Sequence, residues 1–347
     1  MGNARGLTRR AMLKTAIGAA GLPLLDALIY VTKLDAAVPR VTIAASRGIV
    51  SAPVWNVAAH APKYGFTSEI SELFTYADQQ RAVQGYQTST ATAGITQPAI
   101  LADQGVRNVW YVAGQMWGGQ NLIIRTGVRA AGWKDLEGKT IGVVPGTYTR
   151  ILFLIAARTN GVNLNAVNIR NVSAGATAIE AVRRGELDGL ALFSPVIDTL
   201  VVEGAAYYPK TLDIGTTPLG SANGGILAND HFLGDRDLAT RFMRAYVDSL
   251  TEMETNEEAF VRVATQISGI RPEVARKAKQ RIVFSHLVDL QAIRRAATYG
   301  VEFGFTRQDV AAQVERYVSL DVLERSTGKK SAELIGTPPS ALRMIGR

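Results

Sequence analysis

The stretch of chain that decides the fold reads Asp135-Leu136-Glu137-Gly138-Lys139-Thr140-Ile141-Gly142-Val143-Val144-Pro145-Gly146-Thr147. A charged turn precedes a short β-branched run and a Pro-Gly-Thr turn, an order that predicts a buried strand ending in a small, hydroxyl-bearing loop. With Gly132 before it, the stretch has nearly the composition of a nucleotide-binding loop. A phosphate-cradling loop, however, follows a strand and opens a helix, whereas Gly138 and Lys139 come before the strand. The sequence therefore excludes ATP binding here.

Outward from this stretch, short apolar runs alternate with helical patterns from Val41 onward. This alternation predicts an α/β fold with mostly parallel strands. Pro53 suits the first turn of a helix that runs to Tyr64. The predicted strands are Val41–Ala45, Ile70–Thr75, Ala91–Ile95, Val109–Ala113, Asn121–Arg125, Thr140–Val144, Asn168–Val172, Leu187–Leu192, Thr211–Ile214 and Gly225–Ala228.

The last third of the chain has a different pattern. From His231 to about Phe305 the apolar spacing is helical, with no run typical of a strand. The tail, residues 326–347, mixes Lys329-Lys330 and Pro338-Pro339 with small polar residues. We expect this tail to be extended or mobile.

Residues 1–37 have the pattern of a targeting segment, with a basic start, an apolar stretch from Thr15 to Leu25 and small residues at Ala36 and Ala37. The motif Thr8-Arg9-Arg10-Ala11-Met12-Leu13-Lys14 resembles the signal that the twin-arginine export machinery reads. The apolar stretch is shorter than the ~20 residues that a membrane span needs. We expect a periplasmic protein, with membrane anchoring as the alternative if the leader is retained.

Composition narrows the classes of function. The formal net charge is +8 over 347 residues, but no run of five like charges and no basic stretch interleaved with aromatics occurs, so we expect no nucleic-acid partner. The modest basic excess favours small anions instead. The chain contains no cysteine, which excludes a thiol nucleophile, a disulfide and a thiolate metal site.

Five segments resemble, in the same order, one family of periplasmic substrate-binding proteins of ABC transporters. This is the nitrate-, sulfonate- and taurine-binding family, which also includes binders of pyrimidine thiamine precursors. Residues 135–147 are similar to its "DLKGK-IGV…G-T" stretch. The further similarities are Ile179–Gly189 to "AL-x-x-GEVDA", Phe193–Pro195 to the following P loop, Val57–Phe66 to "A…kGyF" and Arg241–Ser249 to "RFLRAL".

The resemblance covers about residues 41 to 265 and implies a two-lobed, type II periplasmic-binding-protein-like α/β fold. Each lobe would be a mostly parallel sheet flanked by helices. We expect lobe 1 at 38–125 and 225–325 and lobe 2 at 126–224. The implied function is capture of a small organic anion, such as a sulfonate, nitrate, taurine or an aromatic acid, for an ABC permease and its ATPase. The segment Gly85-Tyr86-Gln87-Thr88 lacks the acid of the family's Gly-x-x-Asp turn, so relatives do not identify the ligand.

The predicted fold also locates a pocket. In open α/β sheets, ligands bind beyond the carboxyl ends of the strands, where helix N-termini offer free N–H groups to anions. Small or hydroxylic residues follow five of the predicted strands, and helix capping is their alternative role. The candidate ligand-binding residues there are Ser46, Arg47, Gly48, Thr96, Gln97, Gly146, Thr147, Ser173, Gly175 and Ser194.

Larger side chains near the same loops complete the candidate site. The Arg47 guanidinium can donate two parallel hydrogen bonds to a carboxylate or sulfonate. The alternative is that Arg47 is a solvated or salt-bridged surface arginine. Aromatic rings can wall the organic part of a ligand, with core packing as the alternative role. The aromatic candidates are Trp55, Tyr76, Trp117 and Tyr148. The glycines of Gly114–Gly119 suit either a hinge or a simple turn.

The sequence shows no catalytic constellation. His60, His231 and His286 are far apart and lack metal-ligand spacing, and neither a Gly-x-Ser-x-Gly elbow nor a dinucleotide fingerprint occurs. We therefore expect a binding protein with no cofactor, no metal and no catalytic residues. The alternatives are an exported sensor or chemotaxis ligand-binding protein, a binder of pyrimidine or thiamine precursors, and an unrecognised enzyme.

Overall fold

The computed structural model describes residues 38–217 and 219–338, in which two β-sheets form the framework. The predicted targeting segment, residues 1–37, lies outside the described residues. Within the described ranges, no helix has the length and apolar character needed to cross a membrane. The strands are β1 (Arg40–Ala45), β2 (Thr67–Glu72), β3 (Thr90–Gly94), β4 (Val109–Gly118), β5 (Gln120–Arg125), β6 (Thr140–Val143), β7 (Asn168–Asn171), β8 (Gly189–Phe193), β9 (Ala206–Tyr207), β10 (Ala222–Asn229) and β11 (Ile282–Phe284).

Helices cover both sheets. They are α1 (Ala52–His60), α2 (Tyr76–Gln84), α3 (Gln97–Gln104), α4 (Tyr148–Thr159), α5 (Ala176–Arg183), α6 (Val196–Val202), α7 (Asp230–Gly234), α8 (Arg236–Thr255), α9 (Glu257–Ser268), α10 (Pro272–Lys279), α11 (Leu290–Thr298), α12 (Asp321–Thr327) and α13 (Ser331–Leu334).

The first sheet has the strand order β11-β4-β10-β3-β1-β2. β1 pairs in parallel with β2 and β3, in a register that places Ile43 beside Ile70. β10 runs antiparallel between β3 and β4. This sheet therefore combines strands from two distant parts of the chain, and with its helices we call it the first lobe.

The second sheet has the order β7-β6-β8-β5-β9 and, with its helices, forms the second lobe. β6 pairs in parallel with β7 and β8, while β5 runs antiparallel to β8. β5 thus lies in the second sheet, whereas the lobe boundary expected from the sequence placed Asn121–Arg125 in lobe 1. The difference arises because the chain changes sheets at Gly119, directly after β4.

The deciding stretch begins with a capped turn. One oxygen of Asp135, Oδ2, accepts hydrogen bonds from the backbone nitrogens of Ala131 and Gly132, at 2.7 and 3.1 Å. These two bonds hold the pKa of the Asp135 carboxyl below its ordinary value. The turn therefore favours an ionised carboxylate just before β6.

β6 and its following loop also agree with the prediction. Gly142 lies in the middle of β6, where a Cβ would come within 2.6 Å of a methyl group of Leu187. Glycine is therefore required for the close packing of this strand. Thr147 then caps α4, because its Oγ1 accepts a hydrogen bond from the backbone nitrogen of Arg150 at 3.3 Å.

The core joins the two lobes. Its larger cluster of buried apolar residues includes Val41 of β1, Ile141 of β6 and Phe153 of α4. In the first lobe, α1 packs against α8, and the Asn56 amide donates to Glu252 Oε2 at 2.9 Å across that contact. Apolar burial on this scale is the main stabilising contribution to the fold.

Two segments differ from the predicted strands. Thr211–Ile214 is a loop leading into a 3₁₀ turn at Ile214–Thr216, in which Asp213 Oδ1 accepts from the backbone nitrogen of Gly215 at 2.7 Å. β11 lies inside the region predicted to be entirely helical, and its three residues pair with the end of β4. Pairing with a strand far away in sequence, rather than local pattern, determines β11.

The prediction of an extended or mobile tail is wrong for its described part. Leu334 of α13 is fully buried. Its carbonyl accepts from the backbone nitrogen of Val288 at 2.9 Å, and the Gly336 nitrogen donates to the Val288 carbonyl at 2.9 Å. Thr337 Oγ1 donates to Asp289 Oδ2 at 2.8 Å. The tail is thus attached at the start of α11; residues 339–347 lie outside the described residues.

Candidate functional site

The strand tips of the two sheets meet at one place. In the first sheet, β1, β3 and β4 end at the same edge at which β10 begins, since Gly224 lies opposite Gly94 and Ala222 opposite Trp117. In the second sheet, β6 and β8 end at the edge where β5 begins, since Gln120 lies opposite Phe193. Only Gly119 separates β4 from β5. The carboxyl ends of β1, β3, β4, β6 and β8 therefore adjoin this crossover, whereas β5, β10 and β11 begin there.

Backbone hydrogen bonds hold the crossover together. The Gly118 nitrogen donates to the Ser221 carbonyl, the Gly119 nitrogen to the Arg281 carbonyl and the Ser194 nitrogen to the Gly119 carbonyl, each at 2.8 Å. These bonds connect the end of β4 with the return segment before β10, the start of β11 and the loop after β8. The segment predicted as a hinge or turn thus joins the two lobes.

The candidates after β1 form a local cluster. Ser46 Oγ lies 3.3 Å from Ser51 Oγ, and it accepts from the Gly48 nitrogen at 3.4 Å. Arg47 is exposed, and its Nε donates to Glu72 Oε2 at 2.7 Å. The Trp55 ring lies 5.8 Å from the Arg47 guanidinium. The structure therefore places Arg47 in the salt-bridged surface position that the sequence left open as the alternative.

The candidates after β3 lie beside Tyr76. A Cβ on Gly94 would come within 3.3 Å of the Tyr76 ring and 3.7 Å of Thr96 Oγ1, so both side chains cover the tip of β3. Burial raises the pKa of Tyr76 to about 12, which keeps its hydroxyl protonated. Gln97 is buried, and its amide donates to Gln80 Oε1 at 2.7 Å. Gln97 thus belongs to an internal amide chain.

In the second lobe, the candidates separate into buried and exposed groups. Tyr148, directly after the Gly146-Thr147 turn, is about nine-tenths buried, and its hydroxyl has no hydrogen-bond partner among the described residues. Burial raises the pKa of Tyr148 above its ordinary value, so this hydroxyl remains a donor. Ser194 is buried at the tip of β8, whereas Ser173 is exposed and Gly175 precedes α5.

Other buried polar atoms without a hydrogen-bond partner among the described residues lie on the segments around the crossover. Trp117 is the penultimate residue of β4, Asn121 is the second residue of β5, and Arg150 lies in the first turn of α4. Most buried polar groups in folded proteins are paired, so such a cluster indicates a missing polar partner. The atoms are Trp117 Nε1, Asn121 Nδ2, Arg150 Nε, Thr217 Oγ1, Ser221 Oγ and Arg295 Nε, besides the Tyr148 hydroxyl.

Besides Arg150, sequence reasoning missed Asn121, Thr217, Ser221 and Arg295 as candidate site residues. It considered the loops that follow strands, whereas Asn121 and Ser221 lie where strands begin. Arg295 belongs to α11, in the region predicted to be helical throughout. No local pattern shows which residue of a helix faces a distant loop, so only the tertiary structure places these four side chains.

A small cavity lies beside the crossover. Arg281 stacks there on the ring of Tyr208, with its guanidinium carbon 3.8 Å from the ring centre. Tyr208 in turn donates to Asp198 Oδ1 at 2.6 Å. Burial raises the pKa of Asp198, against the hydrogen bond that Tyr208 donates to it. The cavity is lined by Gly118, Gln120, Asn121, Asp213, Gly215, Ser221 and Arg281.

One family profile and several solved structures match this chain. The sequence profile of the family described as NMT1/THI5 like matches residues 72–259, more than half of the 347 residues. Among solved structures, the periplasmic nitrate-binding protein NrtA from Synechocystis PCC 6803 is similar with a TM-score of 0.69 and 13% identity. That similarity covers 87% of this chain and 92% of the other.

Two further structures are similar. The alkanesulfonate-binding protein SsuA from Xanthomonas axonopodis pv. citri, bound to MOPS, has a TM-score of 0.64 and 16% identity over 82% of this chain and all of its own. The desulfurization enzyme DSZB has a TM-score of 0.59 and 14% identity over 84% of this chain and 99% of its own. No curated protein sequence matches the chain. The structures confirm the predicted two-lobed α/β fold.

Proposed function

This chain belongs to the NMT1/THI5-like family, and from that premise we propose that it is the solute-binding component of an ABC importer. It captures a small organic anion between its two lobes, in the periplasm, and delivers it to the permease and its ATPase. The leader motif Thr8–Lys14 supports export by the twin-arginine machinery.

One observation carries this proposal. Polar atoms without a partner among the described residues lie on segments of both lobes next to the crossover. Leaving a buried donor unpaired costs about 1–3 kcal/mol, so each of these atoms needs a partner, which water or a ligand can supply. A small polar ligand at the meeting point of the strand tips would do so. Tips of this kind are the usual ligand site of open α/β sheets.

Contacts from both lobes would couple binding to closure. Tyr148 belongs to the second lobe and Arg295 to the first, so a ligand that touches both groups favours the closed arrangement over the open one. A ligand that contacts one lobe alone binds the open and closed arrangements equally well, so it does not shift the equilibrium between them. Closure around the solute is what a permease can recognise as the loaded state.

A binding role fits the residues better than catalysis does. The chain has no cysteine, which removes thiol chemistry. In the described part of the chain, no three His, Asp or Glu side chains are grouped to hold a metal ion. An exported sensor or chemotaxis ligand-binding protein would use the same cleft. Transport and sensing differ in whether uptake of the solute into cells depends on this chain.

A thermal-shift screen of the purified protein tests the proposal. The panel comprises nitrate, taurine, ethanesulfonate, benzenesulfonate, benzoate and a neutral pyrimidine. A ligand present at a hundred times its Kd adds about 2.7 kcal/mol to stability, which raises the Tm clearly. We expect at least one monoanion to raise the Tm.

The outcomes separate the candidate functions. A Tm shift by a panel anion, together with loss of its uptake in cells lacking this chain, supports the importer component. A shift by the pyrimidine alone supports a precursor binder instead. Chemical conversion of the added compound, followed by mass spectrometry, contradicts a binding role.

A further inference from the structure

Arg295 is a half-buried arginine whose Nε is shielded from water. It lies on α11, where the preceding residue, Arg294, pairs with Glu315 at 2.6 Å on the surface. Among the described residues Arg295 forms no ion pair, and its buried Nε has no hydrogen-bond partner. An uncompensated guanidinium that is partly withdrawn from water is unfavourable unless an anion joins it. Arg294 therefore already has a carboxylate partner, whereas Arg295 needs an anion from outside the described residues.

The position of Arg295 is next to the crossover. Its Nη2 lies 3.9 Å from the point where a Cβ on Gly220 would be. The guanidinium thus rests against the return segment that precedes β10. Thr217 and Ser221 belong to the same segment, and each contributes a buried hydroxyl without a partner among the described residues.

Tyr148 is the first residue of α4 in the other lobe, and α4 packs against the 3₁₀ turn Ile214–Thr216 that leads into the return segment. Besides burial, the charges of Asp289 and Arg295 act on the pKa of the Tyr148 hydroxyl. The Tyr148 hydroxyl is protonated at neutral pH, so it has a proton to donate to an acceptor. The described residues supply none.

We propose that Arg295 of the first lobe and Tyr148 of the second together hold the charged group of the ligand, a carboxylate or sulfonate carrying a single negative charge. This assignment rests on the proposed binding function and names its charge-recognising residues. A guanidinium presents two parallel N–H donors that match two oxygens of such a group. The Tyr148 hydroxyl would donate to a free lone pair.

Asp289 limits the ligand to one charge. Its carboxylate is buried and fixed, because Oδ1 accepts from the Ala292 nitrogen at 2.8 Å and Oδ2 from Thr337 Oγ1 at 2.8 Å. A second negative charge on the ligand would meet this carboxylate in a region of low dielectric. A phosphate monoester should therefore bind less well than a sulfonate of the same shape.

The test compares charged probes with neutral ones. Isothermal titration calorimetry measures the Kd of benzenesulfonate and benzoate, and of the uncharged benzenesulfonamide and benzamide, with phenyl phosphate as the dianion. Loss of a charge-assisted hydrogen bond is expected to raise the Kd of the preferred monoanion at least about tenfold in Arg295→Gln. The Kd of its amide should change little. Tyr148→Phe should raise the Kd of the monoanion by about three- to tenfold.

Matched variants keep the test decisive. Arg294→Gln removes the neighbouring arginine and should leave every Kd unchanged. Arg295→Lys keeps the positive charge but not the two parallel N–H donors. Its Kd for the monoanion should therefore lie between those of wild type and Arg295→Gln. Circular dichroism and the Tm identify any variant that does not fold.

Three results would overturn the inference while the binding function stands. They are an unchanged monoanion Kd in folded Arg295→Gln and Arg295→Lys, a loss of binding in Arg150→Gln instead, and tighter binding of phenyl phosphate than of the monoanions. If wild type binds no probe of this set and no anion of the thermal-shift panel, the proposed function itself is contradicted, and the inference with it.

Discussion

Asp135 is the side chain on which the turn before β6 depends. We expect Asp135→Ala to lower the Tm at neutral pH, because the backbone nitrogens of Ala131 and Gly132 lose their acceptor. The pKa of this carboxyl is lowered in the folded protein. Its contribution is therefore fully present above the pKa of the unfolded chain, about 4, and is lost as the pH falls through the lower folded pKa.

The pH dependence distinguishes this bond from simple packing. Thermal unfolding of wild type and Asp135→Ala across this pH range should show a Tm difference that narrows in acid. Asp135→Asn serves as control, since it keeps an oxygen acceptor without the charge and should show a smaller difference with little pH dependence. A Tm difference that stays constant down to the lowest pH would contradict the assignment.

Among the structural elements, the crossover between β4 and β5 is sensitive to added side-chain volume. Gly119 has φ +75°, and a Cβ there would lie 2.9 Å from Met116 Cε and 3.2 Å from Ile282 Cγ1. Gly119→Ala should reduce the free energy of unfolding by about 2–4 kcal/mol, through backbone strain and the displacement of both neighbours. Urea denaturation measures this loss. Affinity for the panel anions should fall as well, because the lobes meet here.

Gly105→Ala is the matched control for this element. Gly105 ends α3 with φ +65°, and a Cβ there would meet no atom within 4 Å. This variant should lose only the strain of a left-handed residue, about 1–2 kcal/mol, and should keep its affinity for anions. An equal loss of unfolding free energy in the two variants would mean that steric contacts around Gly119 do not add to the destabilisation.

The same elements show what local sequence can and cannot predict. β6 and β7 were predicted within one residue of their bounds, because each is a short strand-like run next to a turn. Thr211–Ile214 has similar residues but forms a loop, and Ile282–Phe284 becomes a strand only through its pairing with β4. The order of the predicted strands alone was enough to propose the residues directly after them as site residues. Arg295 could not, since its importance depends on a contact with Gly220.

For the whole molecule, the most consequential feature is the position of β10 between β3 and β4. A chain that ends at Lys210 lacks β10 and β11, so β3 would have one unpaired edge and β4 would have two. Exposed edges of apolar strands pair with other chains. We expect this shortened chain to form oligomers or aggregates, measured by size-exclusion chromatography with light scattering.

A chain that ends after Pro338 is the control, because it keeps every described strand and the attached part of the tail. It should elute as the full-length protein does. A compact, monomeric chain ending at Lys210 would show that β3 and β4 can pair with each other or remain protected without β10.

The interleaved strand order also affects how the chain folds while it is being synthesised. Synthesis runs from the first residue to the last, so about two thirds of the polypeptide leaves the ribosome before the strand that fills the gap exists. During that interval the nascent chain exposes the unpaired backbone edges of its strands, and chaperones or the ribosome must shield them. Conditions that slow translation of residues 119–221, between β4 and β10, should therefore harm the yield of this protein more than conditions that slow its beginning.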